Sequence, residues 1–217
     1  MSDSKIEIIP SLLTNNPNEL RQLISQCEGE VNRIHIDIID GVYADNKTID
    51  PFMLSSVETS LIIDFHLMVD NPTKWIEKCL RGNAERLIAQ IEMMTDQLEF
   101  VEKTSILGMK PGLALDINSQ VSEINENVLP SLDVILVMSV PAGFGGQKFH
   151  AEALGKIQEL DQMRKEKGYR YSICDDGGIT IDLIDDIRAE GADEAVVGRR
   201  LFKGDISDNV EKFEEAS

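Results

Sequence analysis

Several kinds of residue and pattern are scarce in this 217-residue chain, and each scarcity narrows what the chain can be. Its three cysteines, Cys27, Cys79 and Cys174, are scattered with no CxxC spacing, which excludes a disulfide framework and a cysteine-type structural zinc site. Lysine and arginine number 21 against 39 aspartates and glutamates, a formal net charge of -18, whereas a phosphate backbone is held by clustered cations. Nucleic acid is not an expected partner, and any anionic ligand must be held by local features rather than by the overall field. No run of about 18 apolar residues is present, so no membrane partner is expected. The opening stretch MSDSKIEIIP has neither a basic leader nor an apolar signal core, which points to a cytoplasmic protein. Low-complexity linkers are missing too, and the length suits one domain over residues 1–217.

What is present is alternation. Short β-rich runs fall at 6–9, 33–38, 61–66, 86–91, 112–115, 134–138, 171–174 and 195–197. Helical spacing fills the stretches between and after them, at 18–27, 51–58, 72–80, 97–107, 120–127, 151–167, 181–190 and 208–215. Eight β-α units in this length, with no hairpin signal, predict a closed parallel (β/α)8 TIM barrel. An open doubly wound sheet is the runner-up, but no GxGxxG follows the first strand.

In such a barrel the chemistry sits at the C-terminal ends of the strands. The run IHIDIIDG (34–41) sends His35 and Asp37 to one face and Ile34, Ile36 and Ile38 to the other. A buried imidazole beside a buried carboxylate needs a hydrogen bond, an ion pair or a metal. Of three histidines, His35 and His66 fall at the working ends of adjacent strands, while Asp176 lies just past the seventh strand and Ser11 follows the first. Two imidazoles and two carboxylates can hold a divalent transition metal with positions left open for substrate. The plainer alternative makes each histidine a satisfied core residue, but the whole set on one barrel face argues against it. His150 is read as a solvated residue or cap, and Trp75 as packing.

Three glycine-rich stretches, PAGFGGQKF (141–149), DDGGI (175–179) and VVGRRLF (196–202), follow consecutive strands and suit backbone capture of a phosphate. Arg199 or Arg200 could add a charge-assisted bond, or pair with surface acids. Met68 and Met138 at strand ends are core packing or a soft apolar floor under a reacting carbon. Together these parts suit ketose chemistry. A divalent ion on adjacent substrate oxygens would stabilise an enediolate, and two carboxylates on opposite faces would remove and return the proton, inverting one stereocentre.

The runs IIPSLL, IHIDIIDG, DFHLMVDNP, ILVMSVPAGFGGQKF, DDGGI and GADEAVVG, in this order, resemble ribulose-phosphate 3-epimerase over nearly the whole chain. HLMVDNP and MSVxxGFGGQKF are the most specific of these. The resemblance implies the barrel, a homo-oligomer, and interconversion of D-ribulose 5-phosphate and D-xylulose 5-phosphate. It also implies one divalent ion per subunit held by His35, Asp37, His66 and Asp176, with Asp37 and Asp176 as acid and base. Zinc heads the candidate metals, before iron(II), manganese(II) and cobalt(II). Substrate would meet Ser11, His66 and Met68, and its phosphate Gly145, Gly146, Gly177, Gly178 and Gly198, to which the residues themselves add Arg199. The chain departs from the family's DxMDGHFVPN at Ile39, Val42 and Asp45. It also departs from HxE at Gln90, from the N/EPGFGG pattern at Pro141 and Ala142, and from GS at Arg199. These changes surround the substrate, so an epimerase for another ketose phosphate, such as a hexulose 6-phosphate, and a non-catalytic sugar-phosphate-binding barrel are the alternatives.

Overall fold

The computed structural model describes residues 5–216; Ser217 and the first four residues, on which part of the leader reading rests, lie outside the described residues. Among these, eight strands alternate with helices: β1 (Glu7–Leu12), α1 (Pro17–Cys27), β2 (Arg33–Ile39), β3 (Ile62–Met68), α2 (Ile76–Arg81), β4 (Arg86–Gln90), α3 (Gln97–Ile106), β5 (Lys110–Leu115), β6 (Val134–Met138), α4 (Glu152–Lys167), β7 (Ser172–Asp176), α5 (Ile184–Ala189), β8 (Glu194–Val197) and α6 (Ile206–Glu215). All neighbours pair in parallel, and β8 returns to β1 with Glu194 opposite Glu7, closing a (β/α)8 barrel.

The sheet separates two cores. Ile34, Ile36, Ile38, Phe65 and Leu67 face outward and join the large cluster under the helices, while Ile9, Ile88, Leu136, Cys174 and Val196 fill the interior. Both faces being buried is why the strands read as near-continuous apolar runs. Helix α1 shows how the outer layer is specified. The Asn16 side chain accepts from the Asn18 amide at 2.9 Å, Pro17 fits the first helical position, and Leu20, Ile24 and Cys27 form a buried stripe at helical spacing.

Two expected helices are not α-helical. Residues 51–58 form only a 3-10 turn, Pro51–Ser56, because Val57 is extended and Glu28 captures the amide and hydroxyl of Ser60 at 3.1 and 2.7 Å. Residues 120–127 hold the short turn Val121–Glu123. Ile124 is extended, and Asn125 is drawn away by a bond from its amide to Gln97 and one from the Asn127 amide to its side chain. Strands β1, β2, β3 and β7 run on for one to three residues past the predicted ends, so Ser11 and Asp176 lie in the ladder rather than after it.

The N-terminal end of the barrel is closed by charge. The fully buried Arg86 guanidinium donates to Asp64 at 2.9 and 2.5 Å and to Glu194 at 2.8 and 2.5 Å, and Arg33 reaches the other Asp64 oxygen at 2.5 Å. Any site for a small molecule inside the barrel therefore opens at the opposite end. Among the described residues no helix is long and apolar enough to cross a membrane.

Candidate active site

Strand register assembles the cluster. Ser11 pairs with His35 across β1 and β2, and Asp37 pairs with His66 across β2 and β3. Asp37 Oδ2 accepts from the Ser11 hydroxyl at 2.9 Å, while its Oδ1 lies 3.2 Å from His66 Nδ1 and 3.4 Å from His35 Nε2. Asp176, three strands away around the ring, brings its Oδ2 to 3.8 Å from His66 Nδ1 and 4.0 Å from His35 Nε2. One ligand atom from each of the four residues lies within 4.8 Å of the other three. Thr48 pins the backbone beneath: its hydroxyl donates to the Asp37 carbonyl and accepts from the Ile39 amide, both at 2.8 Å.

The two carboxylates are driven apart electrostatically. Burial pushes Asp37 up, but the close imidazoles of His35 and His66 outweigh it and hold the carboxyl below the usual range. Burial and then the Asp37 charge raise Asp176 to about 7, against the pull of His35. Burial opposes the charging of His35 but Asp37 reverses this, so His35 is raised. His66 is lowered, by burial first and the neighbouring His35 next.

The cluster has the chemistry of a metal site. His35 is fully buried, yet neither of its ring nitrogens has a hydrogen-bond partner among the described residues. Orphaned buried imidazole nitrogens beside two acids are costly, and a divalent cation would satisfy all four groups at once. Thus the residues present fit a metal.

Above this cluster lies a cavity of about 610 Å³. Ser11, Asp37, Met68, Met138 and Asp176 reach it from the strands, and Gly145, Gly146, Gly177, Gly198 and Arg199 from the loops. His35 and His66 sit beneath it, fully buried. Gly178 does not line the cavity. At φ +67° a Cβ there would fall 2.5 Å from the Phe149 amide nitrogen, so Gly178 buttresses the 147–149 segment. That segment belongs to a loop held from two sides: the Arg199 guanidinium donates to the Gly145 carbonyl, and Asn46 donates to the Gly143 carbonyl at 2.7 Å. A wider surface groove of about 670 Å³ near Phe52 and Lys78 lies away from the barrel mouth and contains none of these groups.

Sequence reasoning missed Thr48, the apolar rim of Phe144 and Phe202, and Lys203 beside Arg200. Thr48 left no signal, because its role depends on a loop returning to β2. Also missed was Asp175, fully buried on the outward face of β7 and bonded to the Ser139 hydroxyl, with burial pushing it up to about 8. His150 stays about half exposed near Glu152, and Trp75 packs against the core, as read from the sequence.

Comparison with known proteins follows the same lines. Residues 7–202 match the model of the Ribulose-phosphate 3 epimerase family. The chain is 34% identical over 202 residues to ribulose-phosphate 3-epimerase of Treponema pallidum (strain Nichols), covering 92% of each. It is 32% identical over 201 residues to the protein of that name from Bacillus subtilis (strain 168), covering 91% of this chain and 92% of that protein. Among solved structures, KGPDC from Streptococcus mutans superposes with a TM-score of 0.70 at 11% identity, covering 98% of this chain and 97% of that one, a likeness of fold alone. Given the match over residues 7–202 and the identities with these two relatives, the chain belongs to the ribulose-phosphate 3-epimerase family.

Proposed function

We propose that the chain is a metal-dependent isomerase that inverts the third carbon of a pentulose phosphate, converting D-ribulose 5-phosphate to D-xylulose 5-phosphate. The relatives carrying that name support the substrate class, and the approach of Asp37 and Asp176 to the same two imidazoles from strands three apart around the ring carries the mechanism. His35, Asp37, His66 and Asp176 would hold one divalent ion per subunit, zinc first among the candidates and iron(II), manganese(II) or cobalt(II) after it. When bound, such an ion stabilises the negative charge that gathers on the substrate oxygens as the carbon loses its proton.

The protein side chains do the rest. Asp37 takes the proton from one face of the carbon, and Asp176 returns one from the other face. The reverse reaction exchanges the roles. Ser11 fixes the orientation of Asp37, and Met68 and Met138 give the carbon an apolar floor. The phosphate is assigned to the backbone amides of Gly145, Gly146, Gly177 and Gly198, with Arg199 as the charged partner. Gly178 acts from behind, by backing the loop that carries Gly145 and Gly146. No nucleic acid or membrane takes part.

The test is solvent deuterium incorporation at the third carbon of ribulose 5-phosphate, with and without chelator. Label that enters only in the metal-replete protein supports the reading; no exchange under either condition sinks it. A second reading, epimerisation of a six-carbon ketose phosphate, is favoured by the continuation of the cavity past the glycine loops to Phe202 and Lys203. Turnover of a hexulose 6-phosphate with ribulose 5-phosphate inert would select it. Binding of both without turnover of either would select a sugar-phosphate-binding barrel.

A further inference from the structure

Metal-ligating histidines are set by what their second nitrogen meets. His66 faces the cluster with Nδ1, and its Nε2 lies 3.3 Å from the side-chain amide of Gln90, a fully buried residue at the end of β4. Which end of that amide faces the ring is decided by its other neighbours. One position of the amide group is 3.2 Å from the Ala114 carbonyl oxygen and 2.8 Å from Glu92 Oε2, both acceptors. The amide nitrogen belongs there, because an oxygen in that place would confront two oxygens with no hydrogen between them. Glu92 is itself fixed, since its Oε1 accepts from the Asp116 amide at 2.7 Å and the Ser119 hydroxyl at 2.6 Å. The Gln90 oxygen is thereby turned to Nε2.

We infer that Gln90 is a positioning residue that holds His66 as the Nε2–H tautomer, leaving the Nδ1 lone pair aimed at the cation held with His35, Asp37 and Asp176. Asp37 alone would favour the opposite tautomer, by accepting a hydrogen bond from Nδ1–H across 3.2 Å. The chain from Glu92 through Gln90 to His66 counters that preference, so the site is set for a metal before one arrives. This rests on the metal reading above.

The test uses the full chain with zinc. Long-range ¹⁵N–¹H correlation spectra are simple with three histidines, and the zinc-loaded wild type should show His66 protonated at Nε2 and coordinated at Nδ1. Chelator competition should give Q90M, which neither donates nor accepts, an affinity about 10–100-fold weaker. Q90H, with one nitrogen to donate toward Glu92 and one to accept from Nε2–H, should come within about 3-fold of wild type on the same scale. Coordination through Nε2, a Q90M affinity unchanged, or equal losses in Q90M and Q90H would overturn the inference while leaving the metal reading intact. A wild type that takes up no divalent ion would overturn both. If Q90M does not fold, as judged by circular dichroism, the wild-type spectrum decides alone.

Discussion

At the scale of the residue, chemistry concentrates where polar side chains occupy inward positions that neighbouring strands fill with apolar ones. His35, Asp37 and His66 were legible because strand alternation is simple: two residues apart means the same face. Their mutual distances were not, since these depend on the register that sets Asp37 opposite His66 and Ser11 opposite His35. Two predictions belong here. Asp176→Asn keeps the shape of the side chain but removes the proton it carries, and turnover of ribulose 5-phosphate should fall by about 10²–10⁴-fold. Exchange of the substrate proton for solvent deuterium should persist in the direction where Asp37 is the base. Loss of both would show that Asp37 does not act alone as a base. Ser11→Ala removes the 2.9 Å bond that orients Asp37. Because a hydrogen bond to a charged group contributes about 1.5–3 kcal/mol, kcat should drop by roughly 10–100-fold with the fold intact, as read by kinetics beside circular dichroism.

At the scale of the element, the sequence period located all eight strands but not the upper ends of β1, β2, β3 and β7, nor two of the connections. The reason is physical. Residues such as Ser11, Met68 and Asp176 close a ladder at the mouth, and nothing in their polarity distinguishes the last rung from the first loop residue. The connections 51–58 and 120–127 failed as helices because side chains of Glu28, Gln97 and Asn125 compete for backbone amides, a contest periodicity does not register. In the proposed reaction, substrate capture falls to the loop after β6. Its glycine run was legible; the two straps on it, Arg199 to Gly145 and Asn46 to Gly143, were not, because they join loops 54 and 97 residues apart. Arg199→Ser should remove the charged partner of the phosphate and one strap while leaving the four-residue cluster alone. KM for ribulose 5-phosphate should rise by about 10–100-fold, with kcat changed much less. An unchanged KM would show that Arg199 serves the loop and not the phosphate.

At the scale of the whole molecule, a barrel that carries buried acids at its mouth also carries a buried ion network at its base, and the sheet keeps the two apart. Arg86 holds Asp64 and Glu194 together, and Arg33 shares Asp64. Removing only the arginine takes away the ion-pair partner of buried Glu194 and leaves Asp64 to Arg33 alone, so Arg86→Met should cost about 3–5 kcal/mol in urea unfolding, whereas the double change Arg86→Met with Glu194→Val should recover much of that loss. The network also fixes how stability responds to acid. Burial pushes Glu194 up, but the hydrogen bonds and charge of Arg86 outweigh it and leave the folded carboxyl below its ordinary value; Asp64, buried more deeply, is raised by that burial in spite of both arginines. A carboxyl lowered on folding contributes stability that is present above its unfolded value and disappears as pH falls through its folded one. Asp64 has the opposite sign: its contribution is present at low pH and lost as pH rises through its folded value, so the two acids partly offset one another and the wild-type profile alone does not isolate Glu194. The difference between wild type and Glu194→Gln does. Measured by denaturant unfolding, that difference should be largest near pH 6 and shrink as the pH is brought down through about 4.5 and below. A gap that holds constant across that window would mean that the Arg86–Glu194 contact stabilises through packing and not through charge.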